Sequence, residues 1–439
     1  MRRDRDVAER TQAGSPAGEL AALDVWTAVI TCCDHAGVDV DGHAALPGRA
    51  VPAGEVVKRV AVVIGTRAEA VKCALVVREL QSLPGVRPWV IATGQHEGAA
   101  LEALALFGVR VDEALDPPAA GISLAARTAA VQMALAPVLI AGRFDQVLVH
   151  GDTVSALAGA LTGFLAGIPV VHLEAGLRTH DLSSPFPEEG NRVVISRVAA
   201  LHLAPTLRAA AHLTSEGIAA GRVVVTGNTA IDAVLHAAAL PPQPSTGAGS
   251  ASAHGWAEFA RRPGRLVLAG AHRRESWGRP LERIRDAIGR LAVLHPTVNF
   301  LVPAHMNPHV QDLWRAGLPA RDNLHLTGPI EYAAFARLLA TADLVITDSG
   351  GLQEEAAAFG VPVLVTREKT ERTEGLRAGC ARLVGTDTDG IIKEACIALA
   401  RPWADSTPNP YGDGRAAGRA AAACAWFLGL GPSPDSWPG

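Results

Sequence analysis

Residues 59–72 read RVAVVIGTRAEAVK: an almost unbroken apolar run, then Gly65-Thr66-Arg67, then the opening of an Ala-rich stretch with helical spacing. A strand that is apolar at every position, instead of at alternate ones, is buried on both faces, which is the condition of a strand inside a parallel α/β sheet. The same pattern recurs at 88–92 (PWVIA), 146–149 (QVLV), 169–173 (PVVHL) and 222–226 (RVVVT). It then stops, and restarts at 265–269 (RLVLA), 298–302 (VNFLV), 343–347 (DLVIT) and 361–365 (VPVLV). Between the two series, 238–254 (AALPPQPSTGAGSASAH) is rich in Pro, Gly and Ser and has little apolar surface to bury. The prediction is an α/β protein of two doubly wound, Rossmann-like domains. The expected boundaries are an extension at 1–57, a first domain at 58–237, a hinge at 238–258, a second domain at 259–405 and a C-terminal helix and tail at 406–439. One helix is expected around 18–32 within the extension.

A length of 439 residues suits two domains, and with 49% apolar but only 4% aromatic residues their cores must be built from Ala, Val, Leu and Ile. A net charge of -4 gives no general attraction to nucleic acid or to anionic membranes. No window of 18 uninterrupted, strongly apolar residues suggests a membrane span, and the polar start Met1 to Gly18 does not read as a secretory signal. A cytoplasmic protein is expected. Cys32, Cys33, Cys73, Cys380, Cys396 and Cys424 show no CxxC spacing, which points to reduced thiols. Neither HxH nor HExxH occurs, so no metal is assigned; GxGxxG and the Walker lysine pattern are also missing, so dinucleotide-dehydrogenase and P-loop readings lose ground.

The polar clusters are not scattered. Gly65-Thr66-Arg67, Thr93-Gly94-Gln95-His96, Gly151-Asp152-Thr153 and Glu174-Ala175-Gly176 each follow a strand of the first series. Ala271-His272-Arg273-Arg274, His305 and Asp348-Ser349-Gly350-Gly351 follow strands of the second. Ligands of open parallel sheets bind outside the carboxyl ends of the strands, so a cleft between two facing domains is the economical arrangement.

Three segments carry possible chemistry. Asp348-Ser349-Gly350-Gly351 opens a helix, where free N–H groups and the dipole favour a phosphate; an ordinary N-cap by Ser349 or Asp348 is equally compatible with the residues. In SSPFPEEGNRV (183–193), Glu188 and Arg192 share a helix face and could form no more than a surface ion pair. Yet Glu174 and Arg178 lie close by in sequence. If Asp152, Glu174 and Glu188 gather at one mouth, crowding should raise their pKa values and suit acid–base work on carbon-bound protons. His272, Arg273 and Arg274 would supply donors to a departing diphosphate.

Taken in order, GTRAEAVK (65–72), TGQH (93–96), HGDT (150–153), HLEAGLRT (172–179), SPFPEEGNR (184–192), TGNTAID (226–232), AHRRESWG (271–278), TDSGGLQEEA (347–356), TERTEG (370–375) and NPYGDG (409–414) are similar to the motifs of one family. From about 58 to 425 the chain resembles the bacterial UDP-N-acetylglucosamine 2-epimerases of the non-hydrolysing type. The resemblance implies a glycosyltransferase-B-like fold with an interdomain active site, a UDP-sugar substrate, no cofactor, no metal and a homodimer. The implied reaction removes the C2 proton, expels UDP to give 2-acetamidoglucal, and adds UDP back after protonation on the other face. By matching position, Asp152, Glu174 and Glu188 are the acid–base candidates, and Lys72, Arg192 and His272 also fall on functional positions. Arg67, Ser349, Gly350, Gly351 and Arg372 would hold the diphosphate or nucleotide, Glu355 the ribose hydroxyls and Phe335 the uracil.

Departures from the family pattern are Ala68 and Thr373 where prolines are usual. Glu97-Gly98-Ala99 also stands where members with an activating second site carry an Arg-Glu-Met-like run. Other readings of the same residues are a hydrolysing epimerase, a relative acting on a modified nucleotide sugar, a glycosyltransferase of the same fold, and a nucleotide-sugar-binding regulator.

Overall fold

Val60, Val62 and Ile64 pack on one face of the first sheet, and Ala61 and Val63 on the other, all without solvent exposure. That split is why the run in 59–64 is continuous: each parity meets its own layer of helices. Fully burying a Val or Ile side chain contributes about 1.5–3 kcal/mol, so this strand anchors the layer.

The computed structural model describes residues 57–439 apart from 96–97, 243–250, 274–275, 304–306 and 401–408, with backbone only over 251–254. The expectations for the 1–57 extension, including its helix and Cys32 and Cys33, fall outside the described residues (Val57 excepted), as do His96, Arg274, His305 and the middle of the 238–258 linker.

The first half runs β1 (Lys58–Ile64), α1 (Arg67–Ser82), β2 (Val86–Ala92), α2 (Ala99–Leu106), β3 (Glu113–Ala114), α3 (Leu124–Ala141), β4 (Gln146–His150) and α4 (Val154–Leu165). It continues through β5 (Val170–Leu173), α5 (Glu188–Val198), β6 (Leu201–Ala204), α6 (Leu207–Ser215), β7 (Val223–Val225) and α7 (Thr229–Ala239). The second half holds α8 (Ala251–Ala260), β8 (Arg265–Gly270), α9 (Arg279–Leu294), β9 (Val298–Pro303), α10 (Pro308–Arg315), β10 (Leu324–Thr327) and α11 (Tyr332–Leu339). Then come β11 (Leu344–Thr347), α12 (Gly350–Ala357), β12 (Val363–Val365), α13 (Thr373–Ala378), β13 (Ala381–Leu383), α14 (Thr388–Ala400) and α15 (Ala416–Phe427).

The sheets have orders β3-β2-β1-β4-β5-β6-β7 and β10-β9-β8-β11-β12-β13, parallel throughout. Both follow the doubly wound Rossmann order, with the switch point beside the first strand of each half. One apolar cluster runs through both halves, joining Ala233, Val234 and Ala237 of α7 to Ala333 and Ala336 of α11.

The chain ends back on the first half. Helix α15 packs against α1, and buried Asp232 of α7 accepts from Ala416 N (3.1 Å) and Ala417 N (2.8 Å) at its N-terminus. Of the described helices, α3 alone is long and apolar enough by length and composition to cross a membrane. Here it lies along α4 and sends Val131, Leu135 and Leu139 into the first sheet's core.

Candidate functional site

The cleft is built on two helix N-termini. In the first half, β1 turns into α1 at Gly65, where a Cβ would come within 1.9 Å of Ser155 Oγ, so only glycine fits. Thr66 and Glu69 form a reciprocal capping box, with Glu69 Oε2 accepting from Gly65 N (3.0 Å) and Thr66 N (2.7 Å). The other oxygen of Glu69 accepts from Thr153 Oγ1 at 2.6 Å, joining this turn to the loop that follows β4. Burial pushes the Glu69 carboxyl up to about 7, although each of these hydrogen bonds pulls it down.

That second loop presents Asp152. Gly151 has φ 66°, the left-handed region that glycine tolerates, and its carbonyl accepts from His172 Nε2 at 2.7 Å. Glu174, after β5, has φ 63°, a conformation costly for a non-glycine residue and one that clusters at functional sites. Its buried carboxylate is ion-paired with Lys72 of α1 and accepts from Asn228 Nδ2 at 3.3 Å; His150 Nε2 lies 3.8 Å away. Asp152 is ion-paired with Arg192 of α5. Glu188 opens α5, half-buried, with no hydrogen-bond or ion-pair partner among the described residues.

In the second half, Ser349 caps α12 through a long contact from Leu352 N (3.5 Å). Asp348 does not cap. It is fully buried, turns back to β8, and accepts from His272 N (3.0 Å), Arg273 N (2.9 Å) and Ser276 Oγ (2.7 Å); His272 Nδ1 lies 3.7 Å from it. A Cβ on Gly350 would meet Arg273 Nη2 and Arg372 Cζ, each at 3.2 Å, so both guanidinium groups converge on the N-terminus of α12. Glu371 is ion-paired with Arg372 and lies 2.9 Å from Arg367 and 3.5 Å from Arg273. Burial alone would raise the Glu371 carboxyl, but Arg372, Arg367 and Arg273 together hold it well below the usual carboxylate range.

Glu355 accepts from Tyr332 Oη at 2.9 Å, and burial pushes it up to about 7 against that hydrogen bond. Arg67, the first residue of α1, is within electrostatic reach of both Tyr332 and Glu355. Phe335 lies half-buried one turn beyond Tyr332, packed on the shared core. Gly351 follows Gly350 in the first turn of α12.

Two expectations need correction. Crowding was expected to raise the acid–base carboxylates, yet Glu174 moves the other way. Burial pushes it up, but Lys72, His150 and Arg372 overcome that and hold it ionised well below the ordinary range. Arg192 does not pair with Glu188 at four residues' spacing. It turns to Asp152 and to Glu189, the latter at 3.1 Å. Arg178 stays out of the cleft: buried, it donates to Glu216 (2.7 Å) and Ser196 Oγ (2.8 Å), tying the segment after β5 to α5 and α6. Glu189 is likewise structural, accepting from Thr179 N (3.0 Å) and His180 N (2.9 Å).

The arrangement thus sets carboxylates at the strand ends of one sheet against cations and a helix N-terminus at the strand ends of the other. Lys72 bridges the two, reaching Glu354 of α12 at 3.2 Å. A cleft of this kind can hold a diphosphate on one wall and move protons from the other.

The model of the UDP-N-acetylglucosamine 2-epimerase family matches residues 78–425. The chain belongs to that family. It is therefore an enzyme of the epimerase class, with the glycosyltransferase-B-like fold that its two sheets display. It is 42% identical over 380 residues to the probable UDP-N-acetylglucosamine 2-epimerase of Ralstonia nicotianae, across 82% of this chain and 97% of that one. Among solved structures, the UDP-GlcNAc 2-epimerase of Neisseria meningitidis bound to UDP-GlcNAc is similar at TM-score 0.77 and 37% identity, covering 84% of this chain and 99% of that one. S. aureus MnaA in its structure with UDP is similar at TM-score 0.78 and 35% identity, covering 87% and 100%.

Several of the groups that organise the cleft (Glu69, Glu354, Glu371 and Tyr332) are not among the candidates read from sequence, and Asp348, read there as a possible N-cap, instead holds the loop after β8. Only Glu69 carried a readable signal, the Thr66-x-x-Glu69 capping box.

Proposed function

We propose that this chain interconverts UDP-N-acetylglucosamine and UDP-N-acetylmannosamine without net hydrolysis, by eliminating UDP and adding it back. The observation that carries the proposal is the pairing of Glu174, held ionised through Lys72, with the cationic α12 N-terminus bearing Arg273 and Arg372. The similarity to proteins solved with UDP and with UDP-GlcNAc supports a UDP-sugar as the ligand.

The C2 proton of the sugar is barely acidic, so its removal requires a positioned base and neutralisation of the charge that leaves from C1. Asp152, Glu174 and Glu188 handle the proton. Asp152 and Glu174 enter as ion-paired carboxylates, whereas Glu188 has no ion-pair partner among the described residues. Arg273, Arg372 and the N–H groups of Gly350 and Gly351 take up the diphosphate, with His272 beside them assisting its departure. Arg192 orients Asp152, and Lys72 orients Glu174. Phe335, Glu355 and Arg67 take the nucleoside end. Retention of UDP between elimination and re-addition is what separates this reaction from hydrolysis.

Exposed apolar side chains on the adjacent helices α3 and α4, Met133 (78% exposed), Ile140 (67%) and Leu165 (76%), support the homodimer that the family resemblance implies.

Proton NMR of the protein with UDP-N-acetylglucosamine in D2O, without added cofactor, tests the reaction. Appearance of the manno epimer with deuterium at C2 and little free UDP is expected. Equal amounts of UDP and N-acetylmannosamine would instead establish a hydrolysing enzyme, and an unchanged spectrum would remove this substrate.

A further inference from the structure

Glu354 occupies a position for which its neighbour Glu355 has a proposed role and it has none. It lies one turn into α12, and its side chain is only 2% exposed. A buried carboxylate with no counter-charge is costly, so its partners define what it does. They come from both halves of the molecule: Lys72 Nζ of α1 at 3.2 Å and Arg372 Nε at 2.9 Å. Lys72 is in turn ion-paired with Glu174, and Arg372 stands at the α12 N-terminus beside Gly350.

We infer that Glu354 is a positioning residue that divides two cations between the proton-handling carboxylate and the diphosphate. Resting on the proposed reaction, the inference adds a device linking its two ends. Lys72 is shared between the side chains of Glu174 and Glu354 and cannot neutralise Glu174 completely. Arg372 is likewise held toward Glu354 and Glu371, so it releases the diphosphate as well as binding it. Glu354 therefore moderates anion affinity on one wall and preserves the basicity of Glu174 on the other. Because its partners lie on α1 and beside α12, the same contact fixes the spacing of the two facing helix N-termini.

Glu354→Gln separates charge from shape, since the amide oxygen can still accept from Arg372 Nε. Without the charge, Lys72 and Arg372 are less compensated, so UDP should bind about tenfold more tightly by calorimetry. Glu174, facing an undivided Lys72, becomes a weaker base, so kcat for C2 exchange should fall at least tenfold while KM falls. A contribution to folding alone would lower thermal stability and raise KM.

UDP affinity and KM within twofold of the parent would overturn the inference, as would a fall in kcat accompanied by a rise in KM. UDP binding is read independently of turnover, so a parent protein that bound UDP but failed to epimerise would strike the proposed reaction and leave the Glu354 measurement decisive. Should Glu354→Gln not fold, Glu354→Asp keeps the charge at shorter reach. It should retain parental UDP affinity with reduced kcat, and tighter UDP binding in that variant would count against the inference.

Discussion

The two halves share one strand order and place their polar residues at the same ends of their strands, yet they solve different problems. In the first half, the candidate acid–base side chains sit on constrained backbone: Asp152 follows the left-handed Gly151, and Glu174 is itself left-handed. In the second, it is carried by a helix terminus and by cations gathered around buried acids, with Asp348 holding the His272 loop and Glu371 contacting Arg273, Arg367 and Arg372. Topology brings both sets to one cleft, and in the proposed reaction loop chemistry divides the labour between proton transfer and anion binding.

That division breaks most visibly where the proton-handling side is disabled alone. Asp152→Asn and Glu174→Gln preserve shape and remove a base, and positioned acid–base groups contribute about 10²–10⁴-fold to rate. Each should reduce C2 deuterium exchange, followed by NMR, by about a thousandfold. UDP affinity measured in parallel should change by less than about threefold, because the second half makes the anion site. Equal losses in exchange and in UDP binding would show that the halves do not divide the work.

A complementary substitution disturbs the other side. Asp348→Asn replaces an acceptor that satisfies two backbone N–H groups and the Ser276 hydroxyl at once. Leaving a buried donor unsatisfied costs about 1–3 kcal/mol, so the melting temperature should drop and UDP binding should weaken by about tenfold or more. Exchange should then fall chiefly through KM, measurable from initial rates over a range of substrate. A fall confined to kcat would place Asp348 with the proton-handling groups.

The contrast also bears on what the sequence makes legible. The strands whose two parities each meet a helix layer, such as 59–64 and 343–347, announce themselves as continuous apolar runs. β3, β10 and β13 do not, because they lie at sheet edges and are short or only partly buried. Interior β6 is hidden because His202, fully buried, stands second in its four residues and leaves no paired apolar start, whereas the equally buried His172 of β5 follows two adjacent valines. At the site, the candidate residue types and their strand-end placement are legible, while partner choice is not. Nothing local distinguishes Glu188, at the mouth, from Glu189, turned inward to cap a loop. Arg178 and Arg192 look alike in sequence, yet tertiary packing sends one to Glu216 and the other to Asp152.

Glu69 and Glu355 sharpen the comparison most finely, since burial sets both near pH 7 in opposite halves. A carboxyl whose folded pKa is raised from 4.5 to about 7 contributes stability that is complete below about pH 4.5 and lost as pH rises through 7. Melting temperature should therefore decline over that window, and Glu69→Gln or Glu355→Gln should each flatten part of the decline. Only Glu355 should couple the same titration to ligand, because as an ionised acceptor it would bind ribose hydroxyls better. UDP affinity should rise between pH 6 and 8 in the parent and lose that rise in Glu355→Gln, while Glu69→Gln keeps it. Tyr332→Phe removes the 2.9 Å hydrogen bond that pulls Glu355 down, so its midpoint should move to higher pH. One such bond is worth about 1 kcal/mol, which limits the loss of UDP affinity at pH 7 to about fivefold. A midpoint unmoved in Tyr332→Phe, read by calorimetry across this range, would mean that some group other than Glu355 carries the pH dependence of nucleotide binding.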